Sequence, residues 1–322
     1  MRQLALTCRS FSARVVALFM AMLFTLTLSP AGLANPVVED YQSPLFQDLH
    51  LPTYIWMQAN TSPKAIIVAL HGGCLHGRSF RTLGRAMSER QYMLVSLDMR
   101  GYGAWYCEDF GSQEDRHFNY AISEQDIIAV IAKLREYFPG KPIFVLGESL
   151  GANMSEKLMA DVPEMLDGGV LVNPYVKPHL FFHPYMPLTF LRGLTNPFAG
   201  ANLVPYLKSR LSEDQKQALE QINDPLSRDK QSMTELFQSL FFNMRARKSV
   251  SQIPADKPIL FLVGKRDRLC NPKATEKQYK NMLNNNKTMV LLKERGHLLV
   301  ETTQIQPEIL DILDLWLQAQ IE

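Results

Sequence analysis

The chain has 322 residues, 46% hydrophobic and 20% charged, which suits a globular protein with one α/β domain and an inserted piece. Lys and Arg number 34 against 32 Asp and Glu, but Arg2, Arg9 and Arg14 all precede Glu39, the first acid. Beyond them 31 bases face 32 acids, and this near-neutral balance excludes a bulk electrostatic reason to bind nucleic acid.

Residues 1–34 read as a secretory signal. A basic stretch ends at Arg14, an apolar run covers Val15 to Leu28, and the small residues Ser29, Ala31, Gly32 and Ala34 follow. These 14 apolar residues suit the core of a signal and fall short of the roughly 20 needed to cross a bilayer. The pattern predicts cleavage after Ala34, with Ala31 as second choice, and export to the periplasm or the exterior. An uncleaved anchor and an organelle transit peptide are the other readings of this stretch. Cys8 leaves with the leader, and Cys74, Cys107 and Cys270 remain. None has C-x-x-C spacing, so no zinc or redox site is suggested.

Residues 35–50 are expected to be an irregular approach to a core that spans 35–176 and resumes at 256–322. Ala65–Leu70 is a continuous apolar run, as a strand buried on both faces requires, and it ends at His71-Gly72-Gly73. Helical spacing covers about 78–91. A second strand, Tyr92–Leu97, ends at Asp98, and a long amphipathic helix follows, with Ile122, Ile127, Ile128, Val130, Ile131 and Leu134 apolar. Further buried strands are expected at 142–146, 169–172, 258–263 and 288–292, with a closing helix over 305–320. Such alternation predicts a mostly parallel, doubly wound α/β sheet. Residues 177–255 interrupt it with helical patterns and no comparable strand, which predicts a helical lid.

The chemistry centres on Gly147-x-Ser149-x-Gly151, set between a buried strand and a helix. Glycines on both sides leave room for the sharp turn that exposes a nucleophilic serine. A serine hydroxyl needs a base, and in this arrangement the acid and then the histidine follow the serine in the chain. Chain order selects His297, the one histidine beyond the lid and the last strands. Asp267 lies past the strand that ends at Gly264, at the same sheet edge, whereas Asp256 precedes that strand. Asp267 would hold the imidazole tautomer without taking the proton. Two backbone donors would receive the oxyanion: the Leu150 N–H at the helix start, and the Gly73 N–H of the early loop. His71 is expected to serve structure. No cofactor or metal is called for.

These residues resemble a known family. His71-Gly72-Gly73 with His76, Gly147-Glu148-Ser149-Leu150-Gly151, Asn223-Asp224-Pro225-Leu226, Gly264-x-x-Asp267-Arg268-Leu269-Cys270 and Gly296-His297 are similar to the monoacylglycerol lipase and lysophospholipase group. Asp98-x-Arg100-Gly101-x-Gly103 is similar to a run common to many α/β-hydrolases. The resemblance implies an α/β-hydrolase fold with an inserted lid, cleavage of small lipid-ester substrates through an acyl-enzyme, and the residues already selected: Ser149, Asp267 and His297. The chain departs from the family pattern at Cys74, commonly glycine, and at Glu148, frequently histidine.

Three expectations stay open here. An aminopeptidase on the same scaffold would need lid carboxylates, and Glu220, Asp224 and Glu235 are available; a catalytically silent binding protein would keep only the pocket. Leu180-Phe181-Phe182 with Tyr185, Met186, Leu188, Phe190 and Leu191 would suit a lipid chain or peripheral contact with a membrane, or would pack the lid onto the core. If the mature chain holds a disulfide, Cys74–Cys107 is the more reachable pair; three separate thiols are the alternative.

Overall fold

Five of the six apolar runs expected to be buried strands form the centre of an eight-stranded sheet; the sixth, at 288–292, is an edge strand and only partly buried. The structure is a computed structural model and describes residues 36–108, 110–179, 195–198, 200–208, 210–211 and 215–321. The leader and residues 180–191 of the lid lie outside them. The described strands are β1 (Val37–Tyr41), β2 (Thr53–Gln58), β3 (Ile66–Leu70), β4 (Met93–Leu97), β5 (Ile143–Glu148), β6 (Gly168–Val172), β7 (Gly200–Asn202), β8 (Lys230–Ser232), β9 (Ile259–Gly264) and β10 (Lys287–Leu292). The described helices are α1 (Arg81–Glu89), α2 (Gly103–Cys107), α3 (Tyr120–Tyr137), α4 (Leu150–Asp161), α5 (Val204–Leu207), α6 (Gln215–Ile222), α7 (Met233–Ser249), α8 (Pro272–Asn281) and α9 (Pro307–Ile321).

The large sheet has the order β1-β2-β4-β3-β5-β6-β9-β10. The β1–β2 and β2–β4 pairs are antiparallel and every later pair is parallel. Side chains alternate across it with the period of two that a strand imposes. Ile66, Val68 and Leu70 of β3 pack with Ile127, Val130 and Ile131 of α3 and Leu158 of α4. Ile67 and Ala69 face the other way, toward Leu83 and Met87 of α1 and Leu313 and Leu317 of α9. Burial on both faces is why the runs lack polar residues. This is the α/β-hydrolase fold.

Two expectations need correction. Residues 35–50 are not irregular throughout, because Val37–Tyr41 pairs with β2 as an antiparallel edge strand. Glu39 and Asp40, which argue against a strand by propensity, suit an exposed edge. Glu39 is held there by Arg81, at 3.0 Å, and by Arg85. The lid, expected to be helical, also contains an antiparallel ribbon of β7 and β8. Both strands have three residues, too short to show a period. Ser232 ends β8 and caps α7: its hydroxyl accepts from the Glu235 N–H, and the Glu235 carboxylate accepts from the Ser232 N–H.

Arg228 fastens this lid to the core. Its guanidinium lies 3.9 Å from the ring centre of Tyr106 and 4.6 Å from that of Phe118. It donates to the Gly101 carbonyl at 2.7 Å and to the Glu235 carboxylate at 2.6 Å, and its own N–H donates to the Cys74 carbonyl. Arg228 and Glu235 are both buried. Truncating one partner would leave the other buried and uncompensated, so Arg228→Ala is expected to destabilise the protein by about 3–5 kcal/mol. Lysine cannot supply the planar fork, and Arg228→Lys should recover little of the loss. Urea denaturation of the three proteins measures this; a loss under about 1 kcal/mol for Arg228→Ala would contradict the anchoring role.

Candidate active site

Parallel register brings the reacting ends together. Leu70 pairs with Gly147, Gly147 with Leu171, and Gly264 with Leu292, so the turns that follow β3, β5, β6, β9 and β10 share one edge. Ser149 sits between β5 and α4 at φ 57° and ψ −115°, left-handed backbone that a serine rarely adopts. The turn closes because both flanking glycines lack a side chain. A Cβ on Gly147 would lie 2.1 Å from the Gly151 carbonyl oxygen, and one on Gly151 would lie 1.9 Å from that of Leu70.

His297 and Asp267 arrive from the β10 and β9 ends. The His297 Nδ1 lies 2.7 Å from Asp267 Oδ2, and both residues are buried. The second carboxylate oxygen accepts the N–H groups of Leu269 and Cys270 at 2.7 and 2.8 Å, which aims the first at the imidazole. Burial, the largest single effect, disfavours an imidazolium, but the Asp267 carboxylate and Cys270 together outweigh it. The His297 pKa therefore stands well above the ordinary imidazole value. Asp256 lies at the opposite end of β9, where its carbonyl accepts from Asn286.

Cys270 joins this group more closely than its place in the sequence suggests. Its thiol is within hydrogen-bonding reach of both Ser149 and His297, and burial pushes its pKa up, so it stays a neutral thiol. Asp267, Cys270 and His297 offer three metal-ligating atoms within 4.8 Å of one another. The Asp267 oxygens are already committed to the imidazole and two N–H groups, so the cluster reads as a hydrogen-bonded chain. Cys74, Cys107 and Cys270 are all free thiols. The Cys74–Cys107 pairing is not made: Cys107 is exposed at the end of α2, and Cys74 is buried, where it accepts from the Gln231 amide at 3.2 Å.

The two expected oxyanion donors border the same cavity as Ser149 and His297. The Leu150 N–H opens α4, where the first turn has no intrahelical acceptor. The Gly73 N–H has no acceptor among the described residues, and a Cβ placed there would meet nothing within 4 Å, so this stretch of backbone is open. His71 is structural: its Nε2 accepts from the Met99 N–H at 3.0 Å and its Nδ1 donates to the Gly72 carbonyl at 2.9 Å. Burial depresses its pKa to about 3, so it stays neutral. The cavity measures about 300 Å³, and its lid wall is mostly apolar, with Leu203, Leu207, Leu211 and Leu236.

Two positioning residues escaped the sequence reading. Asn173, just past β6, donates to the carbonyls of Gly296 and His297 at 3.0 and 2.6 Å and accepts from the Gly264 N–H at 2.8 Å. The signal that could have found it is a lone amide at the end of a buried strand. Glu148, noted only as a departure, is buried and accepts the N–H groups of Leu299, Val300 and Glu301. Burial raises its pKa to about 7. The aromatic stretch at 180–191 lies outside the described residues.

The family described as "Serine aminopeptidase, S33" matches residues 61–303. The chain is 23% identical to the monoglyceride lipase of Homo sapiens over 272 residues, covering 82% of this chain and 86% of that protein. It is 22% identical to the monoglyceride lipase homolog of Monkeypox virus over 268 residues, covering 81% and 92%. The monoacylglycerol lipase of Paleococcus ferrophilus superposes with a TM-score of 0.63 at 22% identity, covering 84% of this chain and 99% of that one. A soluble variant of the Saccharomyces cerevisiae monoglyceride lipase, in complex with a substrate analog, superposes with a TM-score of 0.70 at 16% identity, covering 91% and 98%.

The Asp267–His297 pair makes a direct prediction. Titration of His297, followed by NMR of the imidazole, should show a midpoint above the ordinary value of about 6.5. Asp267→Asn should move it down, because the neutral amide no longer stabilises the cation while burial still opposes it. A midpoint at or below 6.5 in the parent protein would contradict the reading.

Proposed function

The chain belongs to the serine aminopeptidase, S33, family, and from that premise we propose that it is a serine hydrolase of lipid carboxylic esters, with monoacylglycerols as the substrate class. One observation carries this reading: Ser149, on its strained turn, and His297, held from behind by the buried Asp267, border one largely apolar cavity. His297 takes the Ser149 hydroxyl proton as the oxygen attacks the ester carbonyl. The Gly73 and Leu150 N–H groups stabilise the resulting oxyanion, and the imidazolium then protonates the leaving alcohol. Water, deprotonated by the same imidazole, releases the fatty acid from Ser149. Asp267 keeps its charge throughout and holds the ring.

The relatives named for monoglyceride hydrolysis support the substrate class, as does an apolar wall that suits an acyl chain. An aminopeptidase would need a free carboxylate to receive the substrate's amine. Glu235 is engaged by Arg228, Asp224 lies 3.2 Å from His76, and Glu220 accepts from Thr303; none of the three borders the cavity. The ester reading is therefore preferred over an amine clamp built from these lid carboxylates. A silent binding protein would ignore a fluorophosphonate probe, which should label Ser149.

Membrane contact is part of the proposal. Phe237, Leu240, Phe241 and Met244 are exposed on α7 at the spacing of one helical stripe, while Leu236 and Leu240 of that helix border the cavity. The basic and apolar leader supports export, and protein recovered outside the cytoplasm should begin at Asn35.

Ser149→Ala or His297→Ala is expected to lower turnover of a monoacylglycerol by about 10⁴–10⁶-fold, with the double variant little worse. A folded Ser149→Ala protein with near-normal turnover would refute the assignment. Replacing Phe237 and Phe241 by serine should slow hydrolysis of long-chain monoacylglycerol in vesicles by at least about fivefold and leave hydrolysis of a soluble acetate ester unchanged. Equal losses on both substrates would argue against membrane contact.

A further inference from the structure

Glu301 takes no part in the proton transfers above, yet it lies within the site. It is fully buried and borders the cavity beside Gly72, Ser149 and His297. Its Oε2 accepts the Gly72 N–H at 2.7 Å. Its Oε1 is buried with no partner. Gly72 presses against the nucleophile: a Cβ added there would lie 3.5 Å from the Ser149 Cβ and 3.0 Å from Glu301 Oε2. Behind Glu301, the Glu148 carboxylate gathers the N–H groups of residues 299–301. An unbroken line thus runs from the residue before the nucleophile, through the loop bearing His297, to the turn bearing Gly73.

We propose that Glu301 is a positioning residue for ester cleavage, holding the Gly72–Gly73 turn so that the Gly73 N–H meets the oxyanion. The inference rests on the Ser149, His297 and Asp267 reading. Glu301 does this as the neutral acid. Two buried carboxyls with no Lys or Arg facing them among the described residues cannot both ionise at modest cost, and burial together with Glu148 raises the Glu301 pKa well above the usual carboxyl value. In the neutral acid one oxygen accepts from Gly72, and the proton sits on the oxygen that lacks a protein partner. The titratable groups facing it are Glu148 and His297, with Asp267 and Cys270 behind the imidazole and His71 neutral below the turn. Ionising Glu301 would place negative charge beside a developing oxyanion. Activity is therefore present while Glu301 is protonated and falls as pH rises through its pKa.

The test uses the full chain and a short aryl ester, p-nitrophenyl acetate. Glu301→Gln mimics the neutral acid, and kcat should stay within about threefold of the parent, with the alkaline decline of kcat moved to higher pH. Glu301→Ala frees the turn and should lower kcat by about 10–100-fold with KM within about twofold, since a lost oxyanion donor acts on the transition state. Glu148 and His297 remain in both variants, so the difference isolates Glu301. A Glu301→Ala enzyme with unchanged kcat, a Glu301→Gln enzyme as slow as Glu301→Ala, or an alkaline decline unmoved in Glu301→Gln would each overturn the proposal. If Glu301→Ala does not fold, kcat and the pH profile of Glu301→Gln decide alone. Ser149→Ala run alongside separates the two levels. Normal turnover there refutes the site itself, whereas an inert Ser149→Ala with an unaffected Glu301→Ala refutes the positioning role only.

Discussion

The turn at Ser149 is the constraint on which the rest of the site depends. Holding a serine at φ 57° costs of order 1–3 kcal/mol, and it persists only because its surroundings leave no alternative. The Ser149 N–H is bound by the Val172 carbonyl, β5 is buried on both faces, and α4 crosses so close to β3 that residue 151 can carry no side chain. In return the hydroxyl is presented at the sheet edge with a free N–H beside it at the start of a helix. The nucleophile and one oxyanion donor thus come from a single bend.

Polar groups that never touch substrate hold the other loops to that bend. Asn173 joins the ends of β6 and β9 to the His297 loop. Asp98 does the same on the other flank, accepting the N–H groups of Gly77 and Ala104 and the Tyr54 hydroxyl. Arg100 stacks 3.8 Å from the Trp105 ring and pairs with Asp115 and Asp126. In a low-dielectric interior such satisfied polar groups lock loop geometry, and any left unpaired would be expensive. Several buried side-chain atoms among the described residues lack a partner, and two of them, Glu301 Oε1 and Asn243 Oδ1, belong to residues that border the cavity.

The lid is attached by packing, with Phe242, Ala246, Val250 and Ile253 buried in the main apolar cluster, and by polar links. Arg228 ties it to the α2 side of the core, the Leu211 carbonyl accepts from the Leu298 N–H, and Gln217 accepts from Thr302. Two of these links reach the loop that carries His297 and Glu301. The apolar cavity therefore lies between a rigid sheet edge and a cover joined to the very loop that supplies the base.

The sequence by itself determined the parts governed by local chemistry. Runs of β-branched and apolar residues declared a parallel sheet covered on both faces at its centre, because a strand buried on both faces tolerates little that is polar. The glycines around Ser149 announced the turn, since no other residue fits there. The expected order of the remaining partners then left His297 as the one histidine in place and Asp267 as the acid at the right strand end. What only the tertiary structure decided depends on side chains meeting across long stretches of chain. The edge strand Val37–Tyr41 became visible only with β2 beside it and Arg81 and Arg85 on Glu39. Cys270 was legible as a neighbour of Asp267 but not as a buried thiol beside His297, and Cys74 is buried while Cys107 is exposed despite their leaving adjacent strands. Glu148, Asn173 and Glu301 carried no signal of role, because a hydrogen bond between residues 72 and 301 leaves no period, spacing or motif in the chain. Covalent order sets which backbone shapes are affordable; the folded packing alone sets which polar groups find each other.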